Sequence, residues 1–394
     1  MDTTHPHEGR QLLTCCAIGL CCFFASYMRI PVLPLFAASL GATTPQVGMI
    51  NATFMLSAGV LAIPSGLLAD RLGQRPVLLG GLLVIAGSSL LLAASRAPWQ
   101  MGVIYLLFGA GLAAFTPTMM AFVADATPRA HLGRAYGLYM SAVYSGMTFG
   151  PAAGGFCGRS IGLARVFLVS GTITFLVFVL AFLLVRPAAP RTSGQAPATP
   201  LPVRELLANR RLTACLTGTL GGCFGFGMFV SFLPLYAHGI GLNPGQIGIV
   251  FAAQALANAL LRIPFGRLSD RVDRGHMAAA GLGLFSVALA ILGLCTGLLP
   301  LTLCAAGLGL GMGIGFTALG ALVAEVVPRE QRGLALGLYN SCIYLGMMLS
   351  SAAMGVVIRE AGYRAGFGIA AGVCLLATGI FFGSYRRAGN ASTI

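Results

Sequence analysis

The sequence predicts an all-α polytopic membrane protein, with twelve transmembrane helices in two pseudo-symmetric six-helix halves. Three observations carry that expectation. The 394 residues are 57% apolar and only 9% charged, against about 25% charged in an ordinary globular chain. Twelve apolar runs are each long enough to cross a hydrocarbon core, which takes about 20 residues. The chain also matches itself at a constant offset of 200 residues.

Composition and charge come first. All 24 basic residues are arginine, and ten carboxylates leave a net charge of +14. In a soluble chain that excess would point to nucleic acid. Here the polar surface is too small to keep a 40.5 kDa chain in water. A lipid bilayer is the expected solvent, and no nucleic-acid partner is expected.

Read between charge clusters and Pro/Gly breaks, the spans fall at roughly 12–36, 46–68, 76–95, 99–122, 135–157, 163–185, 211–236, 246–268, 277–297, 299–323, 334–357 and 364–385. No small-residue cleavage site follows the first run, which reads as a retained helix. The alternating segments of about ten residues that mark a barrel are absent. With the N-terminus cytoplasmic, seventeen arginines lie on the inner side; only Arg96, Arg159, Arg165, Arg359 and Arg364 lie outside, and Arg29 and Arg262 lie within spans. That asymmetry predicts both termini in the cytoplasm of a multi-pass cell (inner) membrane protein. Pro187, Pro190, Pro197, Pro200 and Pro202 mark a flexible linker. The expected domains are residues 1–185, a cytoplasmic linker at 186–210, and residues 211–394. The eleven cysteines, among them Cys15, Cys22, Cys215 and Cys304, sit mostly inside spans, where cysteine acts as a small hydrophobe. No metal-type Cys/His spacing and no cofactor motif is present.

The internal repeat pairs Pro34-Leu35 with Pro234-Leu235, Gln46 with Gln246, Pro64-x-Gly66 with Pro264-x-Gly266, and Asp70-Arg71 with Asp270-Arg271. Further on, Gly109/Gly111 matches Gly309/Gly311, and Gly137-Leu138-Tyr139 matches Gly337-Leu338-Tyr339. Chance matches in apolar sequence do not supply charges and prolines at one offset. Two parallel halves of this kind mark transporters with a cargo site near mid-membrane.

The loop after the second span reads Gly66-x3-Asp70-Arg71-x-Gly73-Gln74-Arg75, and Gly266-x3-Asp270-Arg271-x-Asp273-Arg274 is its repeat. Span 5 carries Gly146, Gly150, Pro151, Gly154 and Gly155. On these motifs the chain resembles the major facilitator superfamily over essentially its whole length. The loop is close to that family's G-x-x-x-D-R-x-G-R-[RK] signature, with Gln74 where the first of the paired basics is usual. The span 5 ladder resembles the signature of the exporter branch, the 12-span drug/metabolite:proton antiporters. One departure weakens the expectation of proton coupling: the R-x-x-x-G-x-G pattern of span 4 appears as Tyr105-x3-Gly109-x-Gly111.

The resemblance implies a gating role for the loop. Gly66 would allow close helix approach. Asp70 would face a helix end, and Arg71, Arg75 and Arg271 would pair with carboxylates such as Asp125 and Glu325. Arg262 is expected as a gate or structural residue. The alternative for the basic residues is simple anchoring. The ladder Gly146, Gly150 and Gly154 predicts tight helix packing, and Pro151 a bend.

For cargo, ionisable groups inside a span are the first candidates because burying them is costly. None of the ten carboxylates lies mid-span. Arg29 does, on a face expected to carry Cys22, Ser26, Arg29 and Leu33. It is expected either to meet an anionic cargo group, or to snorkel outward or bond backbone carbonyls beside Pro31 and Pro34. Asn51, Tyr105, Tyr139, Tyr144, Gln254, Asn258, Tyr339, Asn340 and Tyr344 complete the candidate set, together with Ser26. The expected function is export of small amphipathic molecules, neutral or anionic, by alternating access, with protons as a candidate coupling ion. The alternatives are facilitated uptake or exchange of a metabolite, and lipid flipping. No enzymatic site is expected, and a monomer is the expected form.

Overall fold

A chain in lipid must satisfy its backbone hydrogen bonds internally, through helices or a closed barrel, and this chain uses helices throughout. The computed structural model describes residues 6–125, 127–128, 131–185, 203–268, 272–328 and 331–390. In order these form α1 (Pro6–Met28), α2 (Leu33–Ser39), α3 (Thr44–Leu72), α4 (Gln74–Ala93), α5 (Pro98–Asp125), α6 (Leu132–Ile161) and α7 (Leu163–Leu184). Then follow α8 (Val203–Ala208), α9 (Arg210–Gly239), α10 (Pro244–Leu268), α11 (Arg274–Leu292), α12 (Leu298–Glu325) and α13 (Arg332–Asn390).

Among the described residues, ten helical stretches are long and apolar enough to cross a membrane. α13 turns a corner at Gly362, with φ 79°, and so holds the last two apolar runs. α6 has the length, at 30 residues, but glycines and hydroxyls dilute its apolar character.

Two features differ from the sequence expectation. The first span is not one helix. Pro31 has no N–H to continue the ladder, so α1 ends at Met28, the Leu33 N–H returns to the Arg29 carbonyl at 2.8 Å, and α2 restarts around Pro34. Within the expected linker, Val203–Ala208 is helical. Asn209 then caps α9 through the Arg211 and Leu212 amides and donates from Nδ2 to the Val326 carbonyl at 2.9 Å. Residues 186–202 of that linker lie outside the described residues.

The repeat has a backbone basis. Thr43 and Gln46 form a capping box at the start of α3. At the start of α10, Asn243 and Gln246 exchange bonds of 2.9 and 3.0 Å. Each device satisfies amides that a helix start leaves open. Gly162 and Gly362, with φ 94° and 79°, make the two matching turns; a side chain there would be strained.

The chain forms two compact units: Met1–Arg191 with Leu242–Ala252, and Thr192–Gly241 with Ala253–Ile394. In the first, α1 packs on α6, α3 on α5, and α4 on α5 and α7. The span 5 ladder makes the α1–α6 contact. A Cβ on Gly146 would sit 2.5 Å from the Leu20 carbonyl oxygen, one on Gly150 would sit 2.6 Å from that of Phe24, and one on Gly154 would strike that of Met28. Three glycines at spacing four thus meet three α1 residues at spacing four. Pro151 lies inside a continuous α6. Gly155 abuts Pro244 and Gly248, which is why the start of α10 belongs to this unit.

In the second unit α9 packs on α13 and α11 on α12. Gly346 repeats the contact of Gly146, against the Leu220 carbonyl and the Phe224 amide. One turn on, the glycine has changed helix. Gly227 of α9 takes the close approach, 3.0 Å from the Ser350 Cβ, and Ser231 and Ser351 hydrogen-bond at 2.7 Å.

Overpacking a tight contact costs about 1–3 kcal/mol. Gly150→Leu is expected to lower the thermal unfolding temperature of the purified protein by several degrees. Gly137→Leu, where a Cβ meets nothing within 4 Å, is expected to leave it unchanged. Equal effects at both positions would contradict the packing assignment.

Candidate functional site

Arg29 follows α1 directly and is 1% exposed. Its Nη2 donates to the Ser89 hydroxyl of α4 at 2.6 Å and to the Ser170 hydroxyl of α7 at 3.4 Å. Each serine commits its own proton elsewhere: Ser89 to the Ile85 carbonyl at 2.8 Å, Ser170 to the Ala25 carbonyl at 2.7 Å. Their lone pairs are thereby turned to the guanidinium. The Phe108 ring of α5 covers one face, 3.8 Å from Cζ to ring centroid, a cation–π contact. The position just past a helix C-terminus also suits a cation. Nε and Nη1 have no hydrogen-bond partner.

Tyr105 flanks this group with Cys22. It is 3% exposed and forms an aromatic cluster with Phe54 and Phe108 at centroid distances of 5.8 and 5.5 Å. Arg29 and Tyr105 are thus brought together. Sequence reasoning missed Ser89, Ser170, Phe54 and Phe108. Their only sequence signal was a pair of hydroxyls in otherwise apolar spans, which does not say what they face.

The remaining candidates are distributed. Ser26 is buried on α1, and Asn51 is buried on α3 with no partner for Nδ2. Tyr139 is buried, its ring seated on Gly19. Its repeat Tyr339 donates to the Phe316 carbonyl at 3.4 Å, and Thr219 stands at the position equivalent to Gly19. Tyr144 and Tyr344 are half-buried, and Asn340 is exposed. In the second unit Gln254 is buried and reaches the Met312 sulfur at 3.5 Å, and Asn258 lies along Gly313.

The gating candidates sit at helix ends. Asp70 and Arg71 are exposed at the end of α3. A Cβ on Gly66 would meet nothing within 4 Å. Arg75 does not turn to a carboxylate; it donates to the Phe182 carbonyl at 2.8 Å. Asp125 accepts from Gln74 Nε2 at 2.8 Å. At the same place in the repeat, Arg274 pairs with Glu325 at 2.9 Å. Both acids end a helix and Arg274 begins one, each against the helix dipole; pairing offsets this. Asp270 and Arg271 lie outside the described residues, as does the side chain of Arg262.

A family model described as Major Facilitator Superfamily matches residues 15–243 and 223–392. The chain belongs to that superfamily. It is a multi-pass membrane transporter for small molecules. The transporter is 24% identical over 329 residues to an uncharacterized MFS-type transporter of Methanocaldococcus jannaschii, covering 82% of this chain and 85% of that one. It is 32% identical over 286 residues to the multidrug resistance protein MdtG of Salmonella arizonae, covering 68% and 69%. Its fold matches a bacterial homolog of the human lysosomal transporter Spinster with a TM-score of 0.81 at 17% identity, covering 97% and 98%. At that identity the likeness is one of fold.

Two outcomes are expected at the helix ends. Glu325→Gln should cost roughly 0.2–1 kcal/mol, an effect that shrinks at high salt. Thermal unfolding at two salt concentrations checks it, and a cost that does not change with salt would refute the ion-pair assignment. The second concerns Asp273, which caps α11. Partial burial raises its pKa, but the His276 amide, the His276 ring and the Tyr385 hydroxyl outweigh that and hold it below the ordinary carboxylate range. A depressed folded-state pKa contributes stability that is full above the unfolded value, about 3.9, and is lost as pH falls through the folded one. Asp273→Asn should therefore flatten the stability profile below about pH 4. An unchanged acid limb would count against it.

Proposed function

We propose that this transporter exports small amphipathic organic molecules, neutral or anionic, from the cytoplasm by alternating access. One observation carries the reading. The described spans bury a cation, Arg29, and among the described residues no carboxylate falls in the middle of an apolar membrane-length run; Glu360, within α13, stands beside its corner at Gly362. A buried group of one sign without its opposite favours cargo that is neutral or of the opposite sign. The likeness to MdtG, named for multidrug resistance, supports export of varied organic molecules. The buried polar and aromatic side chains Asn51, Tyr105, Tyr139 and Gln254 are proposed to contact cargo, with Ser26, Tyr144, Asn258, Tyr339, Asn340 and Tyr344 as further contacts. Arg29 sets the electrostatic preference.

In this reading the loop residues Gly66, Asp70, Arg71 and Arg75, with the helix-end acids Asp125 and Glu325, act as a latch at the cytoplasmic side. Asp270, Arg271 and Arg262 are its proposed counterparts in the second half. The chain is proposed to lie in the inner membrane with both termini cytoplasmic. Proton antiport is the proposed coupling only if an imposed pH gradient drives flux.

Reconstitution in liposomes with neutral, anionic and cationic amphiphiles tests this. Neutral and anionic probes are expected to move and cationic ones not. Arg29→Gln is expected to reduce anion flux at least tenfold, about 1.4 kcal/mol of barrier, while neutral flux continues. Transport confined to cations would sink the reading.

A further inference from the structure

We infer that Arg29 is the core of a binding site for a small monovalent inorganic anion of the halide class, enclosed within the first compact unit. The guanidinium is 1% exposed, so a bulky organic group does not reach it in this arrangement. Of its nitrogens, Nη2 is taken by Ser89 and Ser170, while Nε and Nη1 are buried with no partner. A buried charge without a counter-charge is costly. Among the described residues no hydrogen bond or ion pair joins a carboxylate to it; Asp70, Asp125 and Glu325 stand at helix ends, and Glu360 stands beside the α13 corner at Gly362. The hydroxyl lone pairs and the Phe108 face stabilise the cation without neutralising it. One positive charge in an enclosed, partly aromatic wall matches one small negative ion. A divalent oxyanion would bring excess charge and a larger desolvation cost.

The internal repeat supplies an independent control. At the offset of 200 residues, Arg29, Ser89, Phe108 and Ser170 correspond to Phe229, Leu289, Leu308 and Ala370. All four are buried, at 0–1% exposure. The same place in the same fold therefore packs with apolar side chains alone. Helix packing does not require the arginine and its two serines, and apolar replacements of buried ionic groups are often as stable or more so. Their presence in one half only points to a ligand.

This proposal rests on the preceding reading only in taking Arg29 as part of the binding apparatus, and it is tested without cargo. The purified wild-type protein is unfolded thermally in sodium chloride, sodium bromide and sodium gluconate at equal ionic strength. Chloride and bromide are expected to raise the unfolding temperature saturably, by about 2 °C or more over gluconate. Arg29→Gln is expected to abolish that difference. If that variant does not fold, Arg29→Lys, which keeps the charge but loses the planar donor fork, is expected to shift the chloride midpoint. Equal unfolding temperatures of the wild type in chloride and gluconate would overturn the site, as would an Arg29→Gln protein that keeps the difference or an Arg29→Lys protein with an unchanged midpoint. A chloride effect with no cargo selectivity would sustain the site and refute the cargo reading. The reverse result would refute the site alone.

Discussion

The packing of α6 on α1 is the contact on which the first unit depends. In lipid no hydrophobic force draws helices together, so close van der Waals packing must do so. Gly146, Gly150 and Gly154 let the α1 backbone approach at Leu20, Phe24 and Met28. Met28 is the last residue of α1, and Arg29 follows it. Ser170 ties α7 to the same stretch through the Ala25 carbonyl. With α6 on one side and α7 on another, the chain end at Arg29 has little freedom. Its side chain is directed into the bundle, toward α4, α5 and α7.

That placement buries a charge by partial measures. A helix C-terminus contributes a negative dipole end, two serine hydroxyls contribute lone pairs, and Phe108 contributes its π face. None of these carries a full negative charge. The electrostatic character of a transporter's interior follows from such residual charge, because low dielectric strengthens it. With acids confined to helix ends and corners among the described residues, the sign of that interior is positive in the first unit.

The two halves share a backbone plan and differ in chemistry. Capping boxes, left-handed glycine turns and the Gly146/Gly346 contact recur at the same offset. The candidate site positions do not. Tyr139 rests on Gly19, whereas Tyr339 donates to the Phe316 carbonyl. Gln74 donates to Asp125 where the repeat places Arg274 against Glu325. The two halves keep what the backbone needs and diverge in their side chains.

Several features were legible from residue order alone. Apolar run length marks spans because hydrocarbon thickness sets helix length, and constant-offset prolines, glycines and charges reveal the two halves. The glycine ladder of α6 was readable as a packing face, since spacing four keeps residues on one side of a helix. What residue order left open was direction. Whether Arg29 faced cargo, backbone or neighbouring helices depended on where Pro31 stops α1 and on which helices close around that end. In this arrangement Gly66 has no close neighbour and Arg75 donates to the Phe182 carbonyl, because a motif does not specify what packs against it. Ser89, Ser170 and Phe108 became partners of Arg29 only through tertiary packing that joins residues 60–141 positions apart. Local sequence determines the helices and their repetition; the meeting of distant side chains around one buried charge is decided by the fold.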